Sequence, residues 1–258
     1  MKKRTIFLIW LVIIFPLNYL PSFGSDLLMD IFPENTSDLT FETHPTPEVV
    51  NPVQHFVSNF AGISQEAMKY ALSGYAALNE QGKILKKDLI TIVDFSKPST
   101  EERLFVIDIK TKKILAKSLV AHGKNSGVLM AEKFSNAAES YTSSLGFYIA
   151  SETYNGKHGY SLKLDGMETG FNDKARERGV VVHAADYVSK AFIQATGRLG
   201  RSQGCPALPP DQYQQIISMI KGGSCFFIYH PDKQYLTHSP VLKSYSEDCL
   251  AEVITSLN

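Results

Sequence analysis

From residue 88 onward the apolar residues gather in short runs rich in Ile, Val, Leu and Phe, divided by turn residues. This pattern constrains the fold more than any other feature, because runs of four to eight β-branched and aromatic residues fit strands and are too short for helices. Asp88–Phe95, Arg103–Ile109 and Ile114–Ala121 are predicted strands, and Thr111-Lys112-Lys113 predicts a hairpin between the last two. Phe147–Ala150 and Tyr160–Leu164 follow, with Glu152–Gly159 and Asp165–Gly179 read as connections. Val180-Val181-Val182 is an unbroken β-branched run, as expected of a strand covered on both faces, and His183 ends it. Pro209-Pro210-Asp211 opens a helix to about Lys221, Gly222-Gly223 stops it, and Ser224–Tyr229 is a further strand. Glu247–Leu257 is a predicted terminal helix. Many short strands with a few packed helices make a mainly β, α+β domain rather than an alternating βαβ one.

Upstream the pattern is helical. Asn51-Pro52 reads as a cap followed by proline in the first turn, opening a short helix to about Phe60. Ser64 caps a second helix to about Asn79, on which Met68, Ala71, Leu72, Tyr75 and Leu78 share one face. Residues 25–50 carry Pro33, Pro45 and Pro47 among Ser, Thr, Asp and Glu and read as a linker. At the start, Lys2, Lys3 and Arg4 precede an apolar run from Ile6 to Phe15, extended to Leu20, with Ser22 and Gly24 behind it. That order is the order of a secretory signal cleaved near Gly24–Ser25, the alternative being an uncleaved anchor. The expected organisation is a signal at 1–24, a linker at 25–50, a helical segment at 51–87, a β-rich domain at 88–240 and an extension at 241–258.

Charge and cysteine usage narrow the function. The 26 basic and 26 acidic residues cancel, which argues against a nucleic-acid binder. Removing residues 1–24 takes away three basic residues, leaving 26 − 3 = 23 against 26, a formal charge of −3. An exported chain enters an oxidising space where disulfides are common. Three cysteines, Cys205, Cys225 and Cys249, are too few for a disulfide scaffold, and the odd count leaves at least one free.

Cys205 has the setting of a reactive thiol. It follows His183 by 22 residues, in a turn shaped by Gly200, Gly204 and Pro206. A thiol of ordinary acidity is only a few per cent thiolate at neutral pH and needs a base or cation beside it. Read from its residues alone, Cys205 is a nucleophile, a small core residue, or half of a disulfide with Cys225 or Cys249. The polar stretch Arg201-Ser202-Gln203-Gly204 favours the first, and Cys225, inside an apolar strand, is the better structural cysteine.

The run Gly197-Arg198-Leu199-Gly200-Arg201-Ser202-Gln203-Gly204-Cys205-Pro206-Ala207-Leu208-Pro209 resembles the GRLGRSxGCPALP signature of the murein L,D-transpeptidase catalytic domains. The likeness extends upstream through Val180–His183 and Leu162–Gly166, and more loosely over about residues 100–235. It implies a β-sandwich or barrel fold, Cys205 as the acylated nucleophile and His183 as general base. It makes the backbone N–H groups of Gly204 and Cys205 oxyanion donors. Arg201, Ser202, Gln203 and Tyr160 become substrate-binding residues, with Tyr141 beside them. The implied enzyme is an exported, periplasmic or cell-envelope protein that acts on peptidoglycan stem peptides as donor and acceptor. It releases D-alanine and forms 3–3 cross-links, with no cofactor, no metal and no stable membrane span. L,D-carboxypeptidase or lipoprotein-anchoring activity is the alternative within the family. Three positions depart from the commoner pattern: Ala184 stands for Gly after the His, Gln203 for His before the Gly, and Ala207 for Arg two places after the Cys. Arg201 or Arg198 is expected to supply that missing charge.

The rivals are weaker. A sortase-like enzyme needs an Arg after its Cys, and no Arg follows Cys205. Papain-like or amidase-like peptidases place Cys before His, where only His230 and His238 qualify by order. A cell-wall-binding module with an inert thiol is the non-enzymatic reading. The stretch from His122 to Leu145 is a long polar loop of the kind that covers a site. His122 itself reads as structural and His158 as a solvated loop residue, and neither has metal-ligand spacing with His183.

Overall fold

The structure, a computed structural model, describes residues 52–244 together with residues 254–255. The expectations for residues 1–51, and for most of the terminal helix at Glu247–Leu257, fall outside the described residues. No helix among the described residues is long and apolar enough to cross a membrane.

Two helices lead in, α1 at Pro52–Ser58 and α2 at Gln65–Glu80. The Ser64 hydroxyl accepts from Ala67 N–H at 3.1 Å, the expected cap. Met68, Ala71, Leu72, Tyr75 and Leu78 are all buried. Strands follow at Leu89–Asp94 (β1), Leu104–Asp108 (β2), Lys113–Ser118 (β3), Gly146–Gly156 (β4), Gly159–Gly166 (β5) and Val181–Ala184 (β6). Then come α3 at Lys190–Thr196, β7 at Ala207–Leu208, α4 at Tyr213–Ile220 and β8 at Ser224–Tyr229. Two short helices, α5 at Lys233–His238 and α6 at Pro240–Lys243, complete the described order.

The eight strands form one sheet in the order β3-β2-β1-β8-β4-β5-β6-β7. β1–β8 and β6–β7 are parallel and the other pairs antiparallel. Ala121, just past β3, bridges Ala207 of β7, with its N–H donating to the Ala207 carbonyl at 2.9 Å. This bridge brings one sheet edge back toward the other, so the sheet is barrel-like and nearly closed, and mainly β as the sequence predicts. The turn that carries Cys205, residues 199–206, lies at that seam.

One core cluster joins α1 and α2 to β1, β2, β4, β5 and β8. β1 and β8 are buried along their whole lengths, which explains their unbroken apolar runs. Glu168 is wholly buried and holds the 167–179 segment to its neighbours. It accepts from Phe147 N–H at 2.6 Å and Tyr235 O–H at 2.9 Å, and from the Ser239 hydroxyl. Two expectations are corrected. The connection expected at Glu152–Gly159 is instead the end of β4 and a tight turn into β5. The helix α3 lies in a stretch where no helix is expected.

Candidate active site

The thiol is placed by β6 and β7. These strands run parallel with His183 opposite Ala207, which brings the turn before β7 alongside the start of β6. Cys205 Sγ accepts from Val181 N–H at 3.5 Å and faces the Gly179 carbonyl at 3.6 Å. The residue is half-exposed, whereas Cys225 is wholly buried, and both are free thiols. The disulfide reading between them is therefore set aside; Cys249 lies outside the described residues. Burial of its sulfur pushes the Cys205 thiol up from its ordinary acidity, opposed by the Val181 N–H and by the Arg178 charge.

His183 is buried on β6, and its Nδ1 lies 2.8 Å from the Ala184 carbonyl. A carbonyl only accepts, so Nδ1 carries the proton and Nε2 keeps the lone pair of a base. Burial holds this imidazole below its ordinary value, so it is neutral near neutral pH. His158 stacks on it with ring centroids 4.4 Å apart and planes 26° apart. His158 is exposed, as its reading as a solvated loop residue predicts, and it also covers the His183 ring.

Cys205 and His183 line one cavity of about 570 Å³. Arg201, Ser202, Gln203 and Tyr141 line it too, as expected of substrate-binding residues. Tyr160 does not reach it. Its hydroxyl lies 3.3 Å from Lys221 Nζ, and it is Tyr154 on the same hairpin that enters the wall. Beyond the His183–His158 stack a second cavity opens, of about 650 Å³, also lined by both histidines.

The Cys205 turn is held by Ser202. Its hydroxyl donates to the Cys205 carbonyl at 2.6 Å and accepts from Gly204 N–H at 3.0 Å. The Gly204 N–H is therefore engaged inward, while the Cys205 N–H makes no hydrogen bond among the described residues. Of the two expected oxyanion donors, only the second is open. Gly204 adopts φ +122°, and a Cβ there would lie 2.6 Å from the Thr142 carbonyl oxygen. A Cβ at Gly200 would lie 2.4 Å from Tyr187 Cβ and 2.5 Å from its ring. These two close approaches explain two of the three glycines of the motif. Burial and the neighbouring Cys205 push the Tyr187 phenol up to about 12.

Arg178 supplies the positive charge near the thiol, and sequence reading missed it. Its guanidinium lies in the cavity wall and donates to the Ser135 carbonyl at 3.0 Å, the Ser140 hydroxyl at 3.2 Å and the Thr142 carbonyl at 2.9 Å, and to the Ser144 hydroxyl. All four acceptors belong to the 122–145 loop, so Arg178 ties that loop down beside Cys205. The expected substitutes are engaged with backbone carbonyls instead. Arg201 donates to the Lys124 and Gly127 carbonyls, at 3.0 and 3.1 Å, and Arg198 to the Leu199 carbonyl at 2.7 Å. The loop itself packs on the turn, with Ser143 Oγ donating to the Gly204 carbonyl at 3.3 Å. It sends Glu139 and Tyr141 into the cavity wall, and both hold positive φ, 56° and 54°. Such strain in residues with side chains gathers at functional sites.

Behind the site, His122 is wholly buried, as its structural reading predicts. Arg103 Nη2 donates to its Nδ1 at 2.8 Å, which leaves Nε2 to donate to the Gly127 carbonyl at 3.3 Å. The His122 carbonyl accepts from Ser202 N–H at 2.9 Å, so this buried pair anchors the Cys205 turn. No cluster of three or more metal-ligating side chains occurs among the described residues.

The fold and site define a mainly β domain that presents a half-exposed thiol and a neutral imidazole in one cavity. A family model described as the L,D-transpeptidase catalytic domain matches residues 60–229, and the chain belongs to that family. Members of the family act on peptidoglycan. No curated protein matches the chain. Among solved structures, an L,D-transpeptidase from Mycobacterium smegmatis is 15% identical, with 55% of this chain and 59% of that one covered and a TM-score of 0.35. An L,D-transpeptidase from Stackebrandtia nassauensis is 14% identical over 70% and 66%, with a TM-score of 0.37. The helical cell shape determining protein of Campylobacter jejuni is 13% identical over 56% and 48%, with a TM-score of 0.35. The chain thus spans less than two thirds of each of these structures' length. At such scores they carry no weight, and membership rests on the family match.

Proposed function

We propose that this protein is a cysteine L,D-transpeptidase of the cell envelope, exported by its N-terminal segment. The observation that carries this reading is the shared cavity of Cys205 and His183, inside the stretch that matches the family. His183 Nε2 takes the Cys205 proton. The thiolate attacks the carbonyl between the third residue of a stem peptide and its terminal D-alanine. The Cys205 N–H, the open donor of the turn, steadies the oxyanion. His183 returns the proton to the leaving amine, D-alanine departs, and a thioester remains on Cys205. The amine of a second stem peptide then attacks the thioester and loses its proton to His183; the C–S bond breaks, the Cys205 thiolate leaves and regains that proton, and a 3–3 cross-link is formed. Arg178 favours the thiolate, and the 122–145 loop forms one wall of the substrate groove.

Mass spectrometry of muropeptides after incubating purified sacculi with the protein tests the reading. New 3–3 dimers that need Cys205 support it. Trimmed stems alone point to water as acceptor and a carboxypeptidase, and lysine-linked lipoprotein peptides to an anchoring enzyme. No change in any muropeptide, with binding to sacculi intact, favours the non-catalytic wall-binding alternative. Intact mass after a carbapenem gives a direct check of the nucleophile: Cys205→Ala is expected to abolish the adduct and Cys225→Ala to leave it. An adduct on Cys205→Ala protein overturns the assignment.

A further inference from the structure

The best-defined contact made by the expected base is one that proton transfer to Cys205 does not require. Among the described residues His183 has a single hydrogen-bond partner on its ring, the Ala184 carbonyl, and no carboxylate or amide side chain orients it. Its face is instead covered by His158, from the two-residue turn between β4 and β5, at 4.4 Å between centroids. The β5–β6 register, Leu162 opposite Val182 and Lys163 opposite Val181, carries that turn over the end of β6. His158 and His183 together form the wall shared by the two cavities.

We propose that His158 is a positioning residue for His183, fixing the plane of the base by stacking and setting by its own charge how readily the base accepts a proton. The proposal rests on the reading of His183 as the general base and extends it to regulation of the same site. An imidazolium against a neutral aromatic face is stabilised, whereas two stacked imidazolium rings repel. A positive His158 therefore keeps His183 unprotonated and ready to act, and a neutral His158 supports the imidazolium that forms when the thiol gives up its proton. Consistent with this, a charge on His158 disfavours a charge on His183, acting in the same direction as the larger effect of burial and against the Ala184 carbonyl. Other groups face the pair. On the thiol side the charged residues are Lys157, Arg178, Arg201 and Glu139, with the Cys205 thiol and the phenols of Tyr154 and Tyr187. On the far side stand the Asp186 carboxylate and the Tyr213 phenol. None of these residues has a ring stacked on His183, so the variants below isolate the His158 contribution.

The test uses the full chain and a carbapenem as the acylating probe, with adduct formation followed by intact mass over about pH 5 to 8. His158 is exposed, so substitution there leaves folding intact, which the thermal midpoint checks. His158→Ala is expected to slow acylation about tenfold near neutral pH, because the base loses its fixed plane. His158→Phe keeps the stack and is expected to restore the plateau to within about twofold. Removing the charge also raises the His183 midpoint, so the rising limb of the Phe profile moves to higher pH by about half a unit. His158→Arg fixes the charge and moves that limb to lower pH. An Ala variant at the wild-type rate, or Phe and Arg limbs that coincide with wild type, overturns the proposal. NMR titration of the His183 ring in Cys205→Ala protein reads the same midpoint without any reaction. Opposite shifts in the Phe and Arg variants support the coupling even if the wild type forms no adduct. That last result would sink the proposed function alone.

Discussion

Arg178 stands 27 positions before Cys205, and its charge acts on that thiol. Its guanidinium links the charge beside the thiol to the order of the covering loop, so its two contributions separate by substitution. Arg178→Ala is expected to slow carbapenem acylation about tenfold, since one nearby opposite charge shifts a thiol by a unit or more. Arg178→Lys, which keeps charge but not the planar fork, is expected to recover only part of that rate. Stopped-flow acylation kinetics measure both. Gly204 makes a second point at this scale. Gly204→Ala sets a methyl 2.6 Å from the Thr142 carbonyl oxygen at φ +122°. The expected loss is about 1–3 kcal/mol in urea unfolding, with acylation falling as the turn shifts. The motif made Cys205 and His183 legible in the sequence as the proposed reacting pair, because the proposed chemistry needs those residue types. Arg178 was invisible because a cation's reach is spatial, and nothing near Arg178 in the sequence points toward the thiol.

Among the elements, α2 was legible through its buried apolar face, whereas the far half of β4 and α3, which bury none of their residues, were missed. The face of α2 was read correctly because Met68, Ala71, Leu72, Tyr75 and Leu78 all enter the core. Leu72→Ala is expected to cost about 2–5 kcal/mol in denaturant unfolding while leaving the rate of Cys205 acylation in folded protein unchanged. The far half of β4 was misread because it leaves the core after Ala150, so Glu152–Gly156 carries no apolar alternation. Ladder bonds to β5 hold it instead, helped by the exposed Glu152–Arg176–Asp165 network. The helix α3 buries none of its residues. It stands on its ends: the Ser189 hydroxyl accepts from Phe192 N–H at 3.2 Å, and Gly197 closes it at φ 75°.

Over the whole molecule, acid sensitivity follows from the buried pair behind the Cys205 turn. Burial, together with the Arg103 charge, lowers His122 from 6.5 to about 4. The unfolded chain therefore takes up a proton near pH 6.5 that the folded protein refuses until about pH 4. The stability linked to His122 is fully present above the unfolded value and is lost as pH falls through that window, on the order of 3 kcal/mol. His183, held below its ordinary value in the same way, adds to the loss in the same direction. Urea unfolding followed from about pH 7 down to 4 is expected to show the decline. His122→Gln is expected to flatten the decline and to start from lower stability, because the Arg103 and Gly127 partners are then imperfectly met. A slope unchanged in that variant would place the acid sensitivity elsewhere.

By itself the sequence determined which segments are strands, which helix face is buried, and which thiol and imidazole belong to the family motif. Period, β-branching and turn residues are local properties of the chain, and a reactive cysteine needs recognisable neighbours. Tertiary structure alone decided what stands around that pair. The bridge from Ala121 to Ala207 brings the 122–145 loop onto the Cys205 turn and Arg178 beside the thiol, and the β5–β6 register lays His158 over His183. Those contacts join residues far apart in the chain, and their strength depends on burial and distance, which exist only once the sheet has nearly closed.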